Sequence, residues 1–254
     1  MSSPSPDAAA KTHSIYGSRK ASLILDILVV GGGIGGLCAA FCLTQAGHRV
    51  TVIESSPVIG PAVGAGISIP RNSSRLLLRW GLGKRLDEVA FRPQGVTVRK
   101  YSTGERLGFT KVAETAGGHS GTPQYQIHRA DLHKLLYDLV SSDVTILLDS
   151  PVVGCNPDPV VPSVTLKSGK VLKADLIIGA DGLKSYIQQV VLGKFSRAEP
   201  TGNAAYRILI PTSLMMQDPE LRELIEPLQA TSWLGPGRCM VAYPIVRLFS
   251  AWNV

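Results

Sequence analysis

The chain has 254 residues, of which 44% are hydrophobic and 18% charged, and its formal net charge is +7. This length and composition suit a globular protein of one large or two small domains with a sizeable core. The basic residues occur singly or in pairs and form no stripe interleaved with aromatic side chains, which argues against a nucleic-acid-binding protein. No apolar run approaches the ~20 residues of a membrane-spanning helix, so stable membrane insertion is not expected.

The N-terminus and the cysteines indicate the compartment. Residues 1–22 are rich in Ser, Pro and Ala and lack the basic start and apolar stretch of a secretory signal, so they are predicted to be a disordered leader. The cysteines are at positions 38, 42, 155 and 239; Cys38 and Cys42 share one face of a predicted helix, and neither has a further His or Cys nearby at zinc-site spacing. We therefore expect reduced core thiols, no metal site and a cytoplasmic protein.

After the leader, strand and helix patterns alternate. Residues 23–30 are rich in Leu, Ile and Val, which is typical of a strand buried on both faces of a parallel sheet. Residues 34–45 have the apolar spacing of a helix, and Gly47 supplies its stop. Residues 49–53 form a second predicted strand, so the three segments together indicate a βαβ unit.

The later segments mix helical spacing with the period-two pattern of antiparallel strands. The predicted elements are helices over 73–80 and 130–140, hairpins pairing 95–100 with 105–109 and 164–166 with 171–172, and a strand within 174–182 followed by a helix over 184–191. The predicted fold class is therefore α/β, with a parallel βαβ sheet and added antiparallel hairpins.

The turn between the first strand and the first helix reads "GGGIGG". Gly31, Gly33 and Gly36 form the pattern G-x-G-x-x-G, whose glycines allow a tight turn, close approach of a pyrophosphate, and close packing of helix on strand. Glu54 follows the second strand, where a carboxylate accepts hydrogen bonds from both ribose hydroxyls of an adenosine. The sequence thus predicts a Rossmann-like dinucleotide site. The carboxylate would repel a 2′-phosphate, so FAD or NAD is expected rather than NADP, and the loop does not separate those two.

Further motifs follow in a fixed order, and with them the chain resembles a known family. They are "GPAVGAGISIPRNSSRLLLRWGL" (60–82), "QIHRADLHKLL" (126–136), "ADLIIGADGLKS" (174–185), and more loosely "AYRILIP" and "VAYP". The resemblance is to the FAD-dependent aromatic monooxygenases of the salicylate-hydroxylase type, in the para-hydroxybenzoate hydroxylase fold family. It implies FAD as cofactor, NAD(P)H as co-substrate, O2, and a small phenolic substrate, most simply in secondary metabolism.

The same resemblance implies a domain division and flavin contacts. Residues 23–195 would form the FAD-binding domain, with the segment near 92–126 contributing to the substrate sheet, and residues 196–254 would begin an antiparallel substrate domain. The residues implied in FAD binding, beyond the glycine loop and Glu54, are Gly66, Ile67, Arg129, Asp181 and Gly182. Arginine offers a fixed charge and planar donors for flavin phosphates or ring edges. "GADG" lies at the carboxyl end of a strand, where open α/β sheets hold ligands.

Two residues are implied to act on the substrate. Arg207 in "AYRILIP" would stabilise a phenolate by charge-assisted hydrogen bonds, although a strand-face arginine would also fit its pattern. Tyr243 in "VAYP" would hydrogen-bond the substrate hydroxyl, although a packed aromatic would also fit. Gln188 stands where the family usually carries an arginine, which puts NAD(P)H contact on this face in question.

The end of the chain departs from the family as well. Family members continue into a second flavin-contacting segment that contains a Gly-Asp dipeptide, and none occurs here. We therefore expect a C-terminally shortened substrate domain, weak FAD retention and little turnover by the chain alone. Two alternatives stay open: an FAD-dependent epoxidase or reductase of the same superfamily, and a non-catalytic dinucleotide-binding remnant.

Overall fold

The computed structural model describes residues 19–59, 65–111, 122–195, 198–225 and 229–245, together with the backbone of 252–253. The strands are β1 (Asp26–Val30), β2 (Arg49–Ile53), β3 (Gly66–Ile69), β4 (Ala90–Phe91), β5 (Gly95–Lys100), β6 (Arg106–Lys111), β7 (Tyr125–His128), β8 (Thr145–Leu147), β9 (Val152–Asn156), β10 (Ser163–Leu166), β11 (Val171–Lys173), β12 (Leu176–Gly179), β13 (Leu209–Ile210), β14 (Ala230–Gly235), β15 (Arg238–Pro244) and β16 (Trp252–Asn253). The helices are α1 (Ile34–Ala46), α2 (Arg71–Arg79), α3 (Gly83–Val89), α4 (Arg129–Val140), α5 (Tyr186–Leu192), α6 (Thr212–Met215) and α7 (Pro219–Ile225), with a short 3-10 helix at Gly182–Lys184.

Four parallel strands form a sheet in the order β12-β1-β2-β8. The side chains of β1 alternate between two buried clusters. Ile27 and Val29 pack with α1 and α4, whereas Leu28 and Val30 pack with β10 and α5. Both faces of β1 are therefore covered, which confirms the prediction of a strand buried on both sides.

Helix α1 joins β1 to β2 and completes the predicted βαβ unit. Leu37, Ala40 and Phe41 are buried against the sheet and α4. The helix ends at Gly47, whose φ of 99° is left-handed and whose N–H donates to the carbonyls of Leu43 and Thr44. Glycine reaches this conformation without steric cost, which explains why the predicted stop holds.

Apart from one parallel pair, β5 with β14, antiparallel pairing accounts for the other sheets. The two predicted hairpins occur as β5–β6 and β10–β11. The first hairpin extends a six-stranded sheet, in which β5 pairs in parallel with β14 and β14 pairs antiparallel with β15. Thus the chain forms a mixed α/β fold, while the predicted division into two domains stays a prediction.

Several predicted boundaries differ in the structure; for example, the helix predicted over 184–191 runs from Tyr186 to Leu192. Strand β1 begins at Asp26 rather than Leu23, because Leu23 and Ile24 lie on the surface, 68% and 52% exposed, and make no ladder. Helix α2 begins at Arg71 rather than residue 73, with Pro70 as its extended N-terminal neighbour. Most of the predicted leader, residues 1–18, lies outside the described residues. In the described part of the chain, no helix combines the length and apolarity needed to cross a membrane.

Candidate functional site

A cleft of about 370 Å³ opens where the parallel strands end. It is lined by the turns that follow β1, β2, β8 and β12, because parallel strands bring their carboxyl ends to one edge of the sheet. Five residues predicted from the sequence line this cleft: Gly31, Gly33, Glu54, Asp181 and Gly182. It lies beside the central strand β1, between its neighbours β12 and β2, at the usual place for a ligand in an open α/β sheet.

The three motif glycines meet three different needs. Gly31 has a left-handed φ of 108°, and a Cβ built there would lie 2.3 Å from the Ala180 carbonyl oxygen. A Cβ on Gly36 would lie 1.9 Å from the Gly31 carbonyl oxygen, so the helix passes too close for any side chain. A Cβ on Gly33 would meet no protein atom within 4 Å. Gly31 and Gly36 therefore serve the fold, whereas Gly33 leaves open space on the cleft side.

Glu54 reaches across to this loop. Its Oε2 accepts a hydrogen bond from the Gly32 N–H at 2.7 Å, and its Oε1 accepts from the Ser56 N–H at 2.8 Å and the Ser55 hydroxyl at 3.1 Å. A carboxylate offers about four acceptor positions, and three are used here, so one remains for a ribose hydroxyl. These bonds fix the carboxylate at the mouth of the cleft.

The Asp181 carboxylate is engaged by its own turn. Its oxygens accept from the Ser185 hydroxyl and from the N–H groups of Tyr186 and Ile187, at 2.7 and 3.1 Å for the two amides. Asp181 therefore caps the start of α5 and shapes the turn. Gly182 stands beside it with a left-handed φ of 76° and with open space where a Cβ would be. The surface that this turn offers to a ligand is its backbone at Gly182.

Gly66, Ile67 and Arg129 form a second group, located at β3 and at the start of α4. Gly66 begins β3 and pairs with His128, while the Arg129 N–H donates to the Ala65 carbonyl at 3.1 Å. The Arg129 side chain is exposed and stands at the start of α4. None of these three residues lines the cleft of Glu54. Residues 60–64 of the quoted motif lie outside the described residues.

Arg207 and Tyr243 belong to the C-terminal segment and do not line the cleft either. Arg207 is exposed in the stretch that precedes β13. Tyr243 lies half-buried on β15, where its register partner is Asn253. Their proposed contact with a substrate stays a prediction.

Other residues of the site were not singled out from the sequence. Lys184 and Tyr186 line the cleft from the short 3-10 helix and the start of α5. Their only sequence signal is that they follow "GADG". His133 is buried on α4 with Nε2 2.7 Å from the Gly32 carbonyl oxygen. The sequence feature that could have pointed to His133 is its position in the predicted helix, directly after Leu132 of the apolar stripe.

Cys38 lies on α1, one turn beyond the glycine loop. Burial raises the pKa of its thiol to about 11, with a smaller contribution from nearby Cys42. The thiol is therefore protonated at neutral pH, which makes it a poor nucleophile. Among the described residues, no three His, Cys, Asp or Glu side chains are grouped to hold a metal ion.

These features fit an adenine dinucleotide such as FAD. The 13-residue helix α1 begins directly after Gly33, so its positive end and unpaired N–H groups adjoin the cleft where a pyrophosphate would lie. Glu54 would accept from the ribose, and Lys184 adds a positive charge to the cleft wall. Bare backbone, a carboxylate and a cation thus line one cleft, and these are the groups that phosphate and ribose require.

Known relatives agree with this chemistry. The FAD-dependent monooxygenase ntnJ of Nectria sp is 35% identical over 222 residues, which cover 86% of this chain and 50% of the relative. The 3-amino-4-hydroxybenzoate 2-monooxygenase PtnB3 of Streptomyces platensis is 32% identical over 221 residues, 87% of this chain and 53% of the relative. The 3-hydroxybenzoate 6-hydroxylase 1 of Aquipseudomonas alcaligenes is 34% identical over 227 residues, 87% of this chain and 54% of the relative. The chain spans about half the length of these curated relatives.

Solved structures share the fold. CtdE in complex with FAD and its substrate 4 superposes with a TM-score of 0.79 at 22% identity, covering 90% of this chain and 56% of CtdE. HpxO of Klebsiella pneumoniae, complexed with FAD and uric acid, superposes with a TM-score of 0.76 at 23% identity, covering 90% of this chain and 55% of HpxO. Residues 26–183, more than half of the chain and most of the cleft, match the family model for FAD dependent oxidoreductases. The chain is therefore a member of the FAD dependent oxidoreductase family.

Proposed function

We propose that this chain supplies the FAD-binding part, and part of the substrate sheet, of a monooxygenase that hydroxylates a small phenolic ring with NAD(P)H and O2. The observation that carries the proposal is the cleft itself, where the bare backbone of Gly33 and the carboxylate of Glu54 face one space. Relatives that are named aromatic hydroxylases support the substrate class.

The cofactor contacts follow from the geometry of the cleft. Glu54 would bind the adenosine ribose, and the Gly33 N–H with the start of α1 would bind the pyrophosphate. Lys184 would offset phosphate charge from the facing wall. The second group, Gly66, Ile67 and Arg129, would lie toward the flavin. Asp181 and Gly182 would contact the pyrophosphate through the backbone of their turn.

FAD, when bound, supplies electron transfer from NAD(P)H and activation of O2. The chain's own task is to bind the substrate ring and keep it in its reactive form. Arg207 is the proposed cation for a phenolate oxygen, and Tyr243 the proposed donor to the substrate hydroxyl. Both belong to the segment that contributes β13 and β15.

The test begins with cofactor binding by the full chain. FAD is titrated against the wild-type chain and against Glu54→Ala by quenching of flavin fluorescence. Loss of the hydrogen bonds between the carboxylate and the ribose should raise the Kd by about tenfold or more. Glu105→Ala is the matched control, because Glu105 is an exposed glutamate in the β5–β6 turn and should leave the Kd unchanged.

The second stage measures oxidation of NADH and NADPH by the FAD-loaded chain with and without 3-hydroxybenzoate and related phenols. Stimulation by a phenol, with a hydroxylated product, supports the monooxygenase. FAD binding that depends on Glu54 but brings no phenol-stimulated oxidation would favour a non-catalytic binding protein. Absence of FAD binding by the wild-type chain would reject the proposal altogether.

A further inference from the structure

His133 lies buried beneath the glycine loop, 7% exposed, on α4. Its Nε2 is 2.7 Å from the carbonyl oxygen of Gly32. A backbone carbonyl can only accept a hydrogen bond, so Nε2 must carry the proton and donate it. The contact therefore joins α4 directly to the middle of the dinucleotide-binding loop, 101 residues earlier in the chain.

The position of the Gly32 carbonyl determines where the next N–H points. In a planar trans peptide, the C=O of one residue and the N–H of the next point in opposite directions. With the Gly32 carbonyl drawn inward to His133, the Gly33 N–H is directed outward, to the side of the cleft that Gly33 lines. Within the described part of the chain this N–H has no acceptor, and the space around Gly33 is open.

Neighbouring peptides of the loop are fixed by different side chains. The peptide before Gly32 is held by Glu54, which accepts from the Gly32 N–H at 2.7 Å. The peptide after Gly32 is held by His133. Glycine has the largest backbone freedom of any residue, so a loop of consecutive glycines needs such anchors to keep one orientation.

We propose that His133 is a positioning residue for the pyrophosphate of FAD: it holds the Gly32–Gly33 peptide so that the Gly33 N–H donates into the cleft. Without the His133 hydrogen bond, rotation of this peptide would present a carbonyl oxygen to the phosphate instead of a donor. This proposal rests on FAD binding in the cleft, and it adds a residue from α4 that touches no part of the ligand.

The other ring nitrogen argues against a purely structural role. Nδ1 of His133 is buried and has no hydrogen-bond partner. An unsatisfied buried polar atom destabilises a fold, so a role in stability alone would be served as well by an apolar side chain of similar size. The orientation of the Gly32–Gly33 peptide, in contrast, depends on the N–H donor at Nε2 of His133.

The test compares His133→Leu, His133→Gln and His133→Asn in the full chain. Glutamine places an N–H donor near the position of Nε2, whereas asparagine is too short to reach it and leucine has no donor. Affinities for ADP and adenosine are measured by isothermal titration, and folding is checked by circular dichroism. We expect the Kd for ADP to rise about tenfold or more in the Leu and Asn variants, with adenosine changed less than about twofold, and His133→Gln to restore ADP binding.

A second measurement follows the Gly33 amide directly. In the ¹⁵N-labelled wild-type chain, ADP should shift the Gly33 amide resonance strongly, and in His133→Asn this shift should be lost. Equal weakening of ADP and adenosine, or folded His133→Gln that binds ADP as poorly as His133→Asn, would overturn the role of His133. A wild-type chain that binds neither FAD nor ADP would instead reject the cofactor site, which keeps the two failures distinct.

Discussion

Replacing Gly33 by alanine should weaken FAD binding without harming the fold. The new Cβ meets no protein atom within 4 Å, and the φ of −71° at this position suits any residue. Alanine lowers the conformational entropy of the unfolded chain, which stabilises the fold, but it is a poorer N-cap than glycine, which destabilises it. The two effects oppose each other, and each is about 1 kcal/mol or less. The methyl group would stand where a phosphate approaches. Loss of one charge-assisted hydrogen bond, about 1.5–3 kcal/mol, raises the FAD Kd about 10- to 150-fold.

Gly36→Ala is the matched control three residues further on. Its Cβ would lie 1.9 Å from the Gly31 carbonyl oxygen, so the backbone must move about 1.5 Å to reach ordinary contact at 3.4 Å. Overpacking of this kind costs about 1–3 kcal/mol. For a protein of this size the thermal midpoint should fall by about 2–12 °C. Gly33→Ala is therefore expected to lower the affinity for FAD, whereas Gly36→Ala is expected to lower the stability of the fold.

The assay is a fluorescence titration with FAD, paired with thermal unfolding of the FAD-free chain followed by circular dichroism. A Gly33→Ala variant that melts like the parent and binds FAD within twofold of it would refute the assignment of Gly33 to the pyrophosphate. A Gly36→Ala variant as stable as the parent would refute the close packing of α1 on the loop.

Two further predictions concern acid stability and thiol reactivity. Hydrogen bonds from Arg49 lower the pKa of Asp26 below its ordinary value of 3.8. The ion pair therefore stabilises the fold at pH values above 3.8, and this stabilisation is lost as the pH falls through the lowered pKa. In Arg49→Ala, the thermal midpoint should fall less than in the wild-type chain when the pH is lowered below about 4. An equal fall of the midpoint in the two proteins would contradict this. Because burial raises the pKa of Cys38 to about 11, exposed Cys239 should react first with a thiol reagent at pH 8. Rapid labelling of Cys38 in folded Cys239→Ser would contradict that order.

Local patterns were enough to predict the first βαβ unit and the two hairpins. The bounds of β2 were predicted correctly, α1 runs one residue beyond its prediction, and Gly47 ends α1 as expected. Apolar periodicity and a left-handed glycine act over a few residues, so they can be recognised in the sequence alone. Glu54 could be found for the same reason, since it follows a strand at a fixed distance from the glycine loop.

Contacts between distant segments were not visible in the sequence. Strand β5 pairs with β14, which follows it by more than a hundred residues, and no local pattern encodes such a partner. The roles of Asp181 and His133 were likewise decided by the fold: one carboxylate caps α5, and one imidazole from α4 holds the loop.

The amino-acid sequence by itself determined that this protein has a glycine loop between a buried strand and a helix, followed by an acid suited to a ribose. Only the tertiary structure decided which of those glycines faces open space, and which side chains orient the peptides between them. The physical reason is that periodicity and glycine conformation are properties of neighbouring residues. The direction of an N–H in a flexible loop depends on hydrogen bonds from elements far away in the chain.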